Sequence, residues 1–182
     1  MLENEHDHIR KAKQGEAVSF GILYDHYASP LYRFIYFKTG NKTEAQDLLH
    51  EVFLRAWQNI AGYDDRGLPF SSWLYQIARN RVIDYYRTKK DHSDITEIEL
   101  AAASDITLLE NKLGLAKVMK ALRQLSEEQQ NIIVMRFIND LSPGEIAASL
   151  DKSEGAIRLI QHRALNRLRE IINNQEPKIH ES

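Results

Sequence analysis

The stretch from Ser142 to Glu170, SPGEIAASLDKSEGAIRLIQHRALNRLRE, constrains what this chain can fold into more than any other. It carries two helix signals only a few residues apart. Ser142-Pro143-Gly144-Glu145 opens the first as a capping box, with Pro143 in the first helical position, where its missing N–H costs nothing. Ile146, Ala147 and Leu150 give that helix a short apolar stripe. Asp151 to Gly155 make the turn, with Ser153 as N-cap of the second helix. Ile157, Ile160, Ala164, Leu168 and Ile171 then recur at helical spacing and are expected to face a core. Gly155, Arg158, Leu159, His162, Arg163 and Asn166 fall on the opposite side. A helix-turn-helix is built this way, its second helix entering a DNA major groove with base- and phosphate-contacting side chains outward. A plain surface helix with solvated arginines shares the local pattern.

The rest of the chain also reads as helix, and no segment alternates with a strand-like period of two. Phe20, Leu23, Tyr24, Tyr27, Leu31, Phe34, Ile35 and Lys38 form one pattern, with a break or kink expected at Ser29-Pro30. Gly40-Asn41 ends it. Thr43-Glu44-Ala45-Gln46 reads as a capping box opening a helix to about Ile60, with Leu48, Leu49, Val52, Phe53, Ala56 and Trp57 on one face. Residues 62–69 form a turn-rich loop. A long helix is expected from about Ser71 to Lys89, its inward side carrying Trp73, Leu74, Ile77, Ala78, Val82 and Tyr85. Asp91 to Ser104 is acidic and lacks a sustained stripe, so it reads as a linker. Helical pattern resumes near Ile106 with Leu109, Leu113, Ala116, Met119 and Leu122. Ser126-Glu127-Glu128-Gln129 is a third capping box, before Ile132, Ile133, Met135, Arg136 and Phe137. The expected fold is all-α: two small helical domains joined by a flexible acidic linker, the second ending in the helix-turn-helix.

Composition narrows the classes. With 182 residues and 43% hydrophobic content, the chain can bury one ordinary core or two small ones. It has no cysteine, which excludes disulfides and thiolate metal sites. No apolar run approaches a membrane span and the acidic start MLENEHDH is no signal peptide, so a soluble, cytoplasmic protein is expected. His6, Asp7 and His8 read as a fortuitous cluster in a mobile terminus. Without a glycine-rich phosphate loop or a paired nucleophile and base, no enzyme, cofactor or metal site is proposed.

The net charge of −2 at first argues against DNA. Charge is segregated, however: Arg158, Arg163, Arg167 and Arg169 face a single Glu154 between Ser153 and Arg169. Because affinity scales with phosphates neutralised, a chain this near neutrality grips duplex DNA weakly alone. Either it dimerises or a larger partner supplies the grip.

DLLHEVFLRAW at 47–57, FSSWLYQIARNRVIDYYR at 70–87, LSEEQQNIIVMRF at 125–137 and the helix-turn-helix, in that order, resemble a bacterial RNA polymerase sigma factor of the extracytoplasmic-function (ECF) class. The resemblance covers about residues 10–172. It implies region 2 over 1–90, a linker over 91–106, region 4 over 107–173 and a tail over 174–182. It further implies three partners: core RNA polymerase, met through the largest-subunit clamp helices and the flap; promoter DNA; and an anti-sigma factor.

Residue roles follow from the same resemblance. Asp47, His50, Glu51, Leu54 and Arg55 would meet the clamp helices, although the family usually has Gln-Glu where this chain has His50-Glu51. Tyr63, Asp64, Arg66, Phe70, Arg79, Asn80, Asp84 and Arg87 would recognise and melt the −10 element, with Tyr63 to Gly67 matching the loop that captures a flipped base. Arg81 and Tyr86 add to that mix of basic, amide and aromatic groups, which suits single-stranded DNA. Trp73 is expected in the core instead, and Phe70 suits either the core or a stacking role. Arg158, Leu159, His162 and Arg163 match the positions that read −35 bases, while Ser153 and Arg167 suit phosphate contacts. Many relatives carry Ser-Arg where this chain has Leu159-Ile160, which turns an apolar group toward the groove. Two other classes remain: a helix-turn-helix regulator with a sensor domain that binds DNA without polymerase, and an interaction protein that needs no basic reading face.

Overall fold

The computed structural model describes residues 2–64, 69–89 and 117–174. Among these residues every regular element is helical: α1 (Glu5–Lys13), α2 (Ala17–Thr39), α3 (Lys42–Asn59), a 3-10 turn (Ile60–Gly62) and α4 (Phe70–Lys89). After them come α5 (described over 117–122), α6 (Glu127–Ile133), a π-helical turn (Val134–Ile138), α7 (Pro143–Leu150) and α8 (Glu154–Asn173). The expected linker, the positions Ile106, Leu109, Leu113 and Ala116, and the tail beyond residue 174 lie outside the described residues.

Three local expectations are corrected. Helix α2 runs through Pro30, so of the break or kink expected there the break is excluded. The lost hydrogen bond and ring clash cost about 3 kcal/mol. Leu23, Leu31, Phe34 and Ile35 are all fully buried from the same helix, and each is worth about 1.5–3 kcal/mol. Burial wins. Helix α3 is capped by Asn41, whose side chain accepts from the Glu44 N–H at 3.1 Å, not by Thr43. Gly40 explains the offset: it ends α2 at φ 70°, a left-handed turn that leaves Asn41 extended and facing the first helical turn. The terminus that holds His6 and His8 is helix α1, with Ile9 and Ala12 buried. Its acidic first turn (Glu5, Asp7) and basic last turn (Arg10, Lys11, Lys13) both complement the helix dipole and stabilise it. Among the described residues no group of three potential metal ligands comes together.

The expected stripes do pack. Ala45, Leu48, Leu49, Val52, Phe53 and Ala56 of α3 are buried against α2 and α4. Phe34 of α2 meets Tyr75 of α4 edge to face at 5.4 Å. In the C-terminal unit, both capping boxes form as the sequence indicates, at Ser126 and at Ser142. Ile132, Ile146, Ile157, Ala164 and Ile171 fill its core.

These two units pack on each other and share one apolar cluster. Helix α7 lies on α4, where the fully buried Ser72 hydroxyl donates to the Glu145 carbonyl at 3.0 Å. One turn on, the Gln76 amide donates to the Ala148 carbonyl at 3.2 Å. Lys38 of α2, 6% exposed, donates to the Gln130 side chain at 3.2 Å and to the Glu127 carbonyl at 3.5 Å. Burial pushes its ammonium down to about 8; Arg79 adds to that shift and Glu127 opposes it.

The unfolded chain therefore holds this proton more tightly than the folded one between pH 8 and 10.5. Stability should rise with pH from 8 upward, until raised-pKa tyrosines such as Tyr27 and Tyr75 oppose it near pH 10. Denaturant melts of the wild type between pH 7 and 10 should show that rise, and Lys38→Met should abolish it.

Candidate nucleic-acid interface

Helix α8 presents the row read from the sequence. Its buried side carries Ile157, Ala164 and Ile171, and Arg158, Leu159, His162, Arg163, Asn166 and Arg167 are exposed. Ser153 caps it by accepting from the Ala156 N–H at 3.2 Å. The cap leaves Ser153 exposed at the positive end of the helix dipole, where a phosphate is favoured. Asp151, at φ 53°, turns the chain between α7 and α8, so the turn is 151–153 and Gly155 already belongs to the helix.

Ion pairs sort the arginines of this face. Arg158 pairs with Glu154 at 2.6 Å and Arg167 with Glu170 at 3.0 Å. Both pairs are exposed and worth little, so each guanidinium can exchange its carboxylate for a phosphate or a base edge. Arg163 makes no ion pair among the described residues and projects from the middle of the row. Asn166 contacts His162 at 3.1 Å, which orients the imidazole along the helix. Leu159, 51% exposed, is an apolar tip in a polar row and suits a thymine methyl.

Helix α3 offers a second surface. Asp47, His50, Glu51, Leu54 and Arg55 are all exposed, opposite the buried stripe, with Leu54 at 56%. Glu51 also pairs with Arg81 of α4, and Arg81 reaches Asp84 at 3.3 Å. Arg81 is thereby a strut between helices, a role its sequence position did not reveal.

The residues expected to meet −10 DNA differ in their placement. Asn80 and Arg87 are exposed, and Arg87 pairs with Asp84 at 3.3 Å. Arg79 lines a cleft of about 410 Å³ against Glu127, Glu128, Asn131, Leu150 and Lys152 of the C-terminal unit. Tyr63 and Phe70 are buried and stack in an aromatic group with Trp73, the Tyr63–Phe70 rings 5.2 Å apart and edge-on. In this arrangement both rings are packed inward. Asp64 is exposed at the loop entrance, and Arg66 lies outside the described residues. Tyr86, from α4, donates its hydroxyl to the Lys38 carbonyl and ties the end of that helix to α2.

Residues 23–92 match the family described as sigma-70 region 2, and residues 121–170 match sigma-70, region 4. The chain is 36% identical over 170 residues to the ECF RNA polymerase sigma factor BldN of Streptomyces coelicolor, which covers 90% of this chain and 64% of that protein. It therefore spans a little under two thirds of that relative's length. Against the ECF RNA polymerase sigma factor SigW of Bacillus subtilis it is 30% identical over 175 residues, covering 88% of this chain and 92% of the relative. In fold it is similar to CnrH, solved in complex with the cytosolic domain of CnrY, with a TM-score of 0.76 and 24% identity over 94% of this chain and 99% of the other. The N-terminal half is region 2, so a sensor domain ahead of the helix-turn-helix is set aside. Two region matches in one chain, together with the similarity to SigW along nearly its full length, place this protein in the ECF family of RNA polymerase sigma factors.

Proposed function

We propose that this chain is an alternative sigma factor that binds core RNA polymerase and directs promoter-specific initiation through −35 and −10 elements. The observation that carries the reading is the pairing of regions 2 and 4 in one chain whose α8 face is basic and exposed. Near-neutral net charge supports it too, since a chain of charge −2 needs a partner to hold a duplex. The nucleotide-joining chemistry belongs to the polymerase, and the protein works in the cytoplasm, where that enzyme is.

Within that reading, α3 meets the polymerase clamp helices through Asp47, His50, Glu51, Leu54 and Arg55. Region 4 engages the flap. Asn80 and Arg87 hold the melted −10 strand with Arg79, Asp84, Asp64 and Arg66, while Tyr63 and Phe70 brace the loop that takes a base. Arg158, Leu159, His162 and Arg163 read −35 bases, and Ser153 and Arg167 fix the register on phosphates. An anti-sigma factor is the expected regulator; support comes from CnrH, a fold neighbour solved with a bound partner domain.

Transcription by purified core polymerase on a randomised promoter library tests this directly. Addition of the protein should yield transcripts that share one −35 and one −10 motif; transcripts independent of the added protein would sink the reading. Arg163→Ala should cost about 1–3 kcal/mol of discrimination at one −35 base pair, measured by competition between matched and scrambled elements. Equal loss on both would make it a phosphate contact. Leu54→Glu should weaken core binding roughly tenfold in an interaction assay without altering the melting curve, because Leu54 is already solvent-exposed.

A further inference from the structure

The cleft between α4 and the C-terminal unit, about 410 Å³ in volume, has walls from both units. Arg79 comes from α4, and Glu127, Glu128 and Asn131 from α6. Leu150 and Lys152 come from the end of α7 and the turn after it. The volume falls within the roughly 300–1,000 Å³ that small-ligand sites occupy. None of the residues proposed for DNA or polymerase lies on the α6 wall.

The polar groups of this cleft are unevenly satisfied. Asn131 is 2% exposed, yet its Oδ1 accepts no hydrogen bond among the described residues. Burying a carbonyl oxygen without a donor is costly, so this one marks a place for an N–H or O–H from elsewhere. Arg79 is half-buried and makes no hydrogen bond or ion pair among the described residues. It lies close enough to the buried Lys38 to help push that ammonium down, so two like charges meet at this corner. Glu127 is exposed at the rim, and its carboxylate makes no ion pair among the described residues. Lys152 and Glu128 pair with each other at 2.7 Å. The lining thus carries one free cation and one free carboxylate beside a neutral pair. A purely anionic or purely cationic ligand would satisfy one free group and be repelled by the other; a zwitterion satisfies both. The planar fork of Arg79 suits a carboxylate, and Asn131 Oδ1 with the Glu127 carboxylate suits an ammonium, which has three donors to give. Leu150, 8% exposed, adds an apolar patch for a side chain.

We infer that the cleft binds a small zwitterion, an α-amino acid, with its carboxylate on Arg79 and its ammonium between Asn131 and Glu127. Such a ligand bridges α4 and α6, so it binds only while the two units are docked and holds them there. Its effect on transcription rests on the sigma-factor reading. Arg79, once occupied, is withdrawn from the −10 strand, and the amino acid acts as a corepressor.

Binding is read first on the free full-length chain, by thermal melting with each of the standard amino acids in turn. At least one should raise the melting midpoint, by an amount that grows with its concentration. In calorimetric titration its methyl ester and its N-acetyl derivative, each lacking one of the two charges, should bind at least about tenfold more weakly. Glu127→Gln, made on an exposed side chain, should weaken binding by a similar factor and leave the melting midpoint without ligand unchanged. Asn131→Leu, which removes the buried acceptor, should weaken it further. No stabilisation by any amino acid, equal affinity for the two derivatives, or full affinity in Glu127→Gln would overturn the inference. With core polymerase on a selected promoter, the same amino acid should reduce transcription by the wild type. Glu127→Gln should match the wild type without ligand and respond far less to it. Binding with undiminished transcription would overturn the corepressor role. Absence of promoter-specific transcription with no amino acid present is a different result: it sinks the sigma-factor reading, while the titrations still judge the cleft.

Discussion

Burial of one apolar stripe per helix is the constraint on which everything else here depends. A helix that commits its i, i+3, i+4 and i+7 positions to a core has its remaining faces determined for it. In α3 the burial of Leu48, Leu49, Val52, Phe53 and Ala56 leaves Asp47, His50, Glu51, Leu54 and Arg55 pointing outward. In α8 the burial of Ile157, Ala164 and Ile171 does the same for Arg158, Leu159, His162 and Arg163. The surfaces proposed for function are the complement of the packing. They cost little stability because their side chains stay solvated or in weak exposed pairs.

Docking of the two units adds a second level. Ser72 and Gln76, one turn apart on α4, donate to successive turns of α7, and Lys38 donates across the same boundary to α6. Arg79 is thereby turned into a cleft against the C-terminal unit, whereas Asn80 and Arg87 stay on the open side. In this arrangement the α8 face and the α3 face are both open to solvent. Access to partners is graded by helix face within a single compact chain.

Legibility in the sequence followed the range of the interaction. The caps at Ser126, Ser142 and Ser153 are contacts within four residues and could be read directly, as could the two faces of α3 and α8. Helix α1 was obscured by its polarity: only Ile9 and Ala12 are buried in nine residues, too few to set a periodic signal. The dipole-matched charges at its two ends were the available clue. At Pro30 the helix does not break, because distant burial of Leu23, Leu31, Phe34 and Ile35 outweighs the local cost. Arg81 pairs with Glu51 thirty residues away, and Ser72 with a carbonyl on another unit, contacts that no spacing rule encodes. Tyr63 is expected at the −10 strand by family resemblance and Phe70 there or in the core; both rings pack inward, because aromatic residues next to a core are worth more buried than exposed.

A small chain that contributes selectivity and leaves the electrostatic hold to a larger enzyme should reveal that division in its salt dependence. The most direct measurement is the affinity for promoter DNA, with and without core polymerase, across a salt series. The account predicts weak binding and a shallow slope for the free chain, and tight, steeply salt-dependent, promoter-specific binding for the complex. Tight specific binding by the free chain as a homodimer, unchanged when polymerase is added, would contradict it.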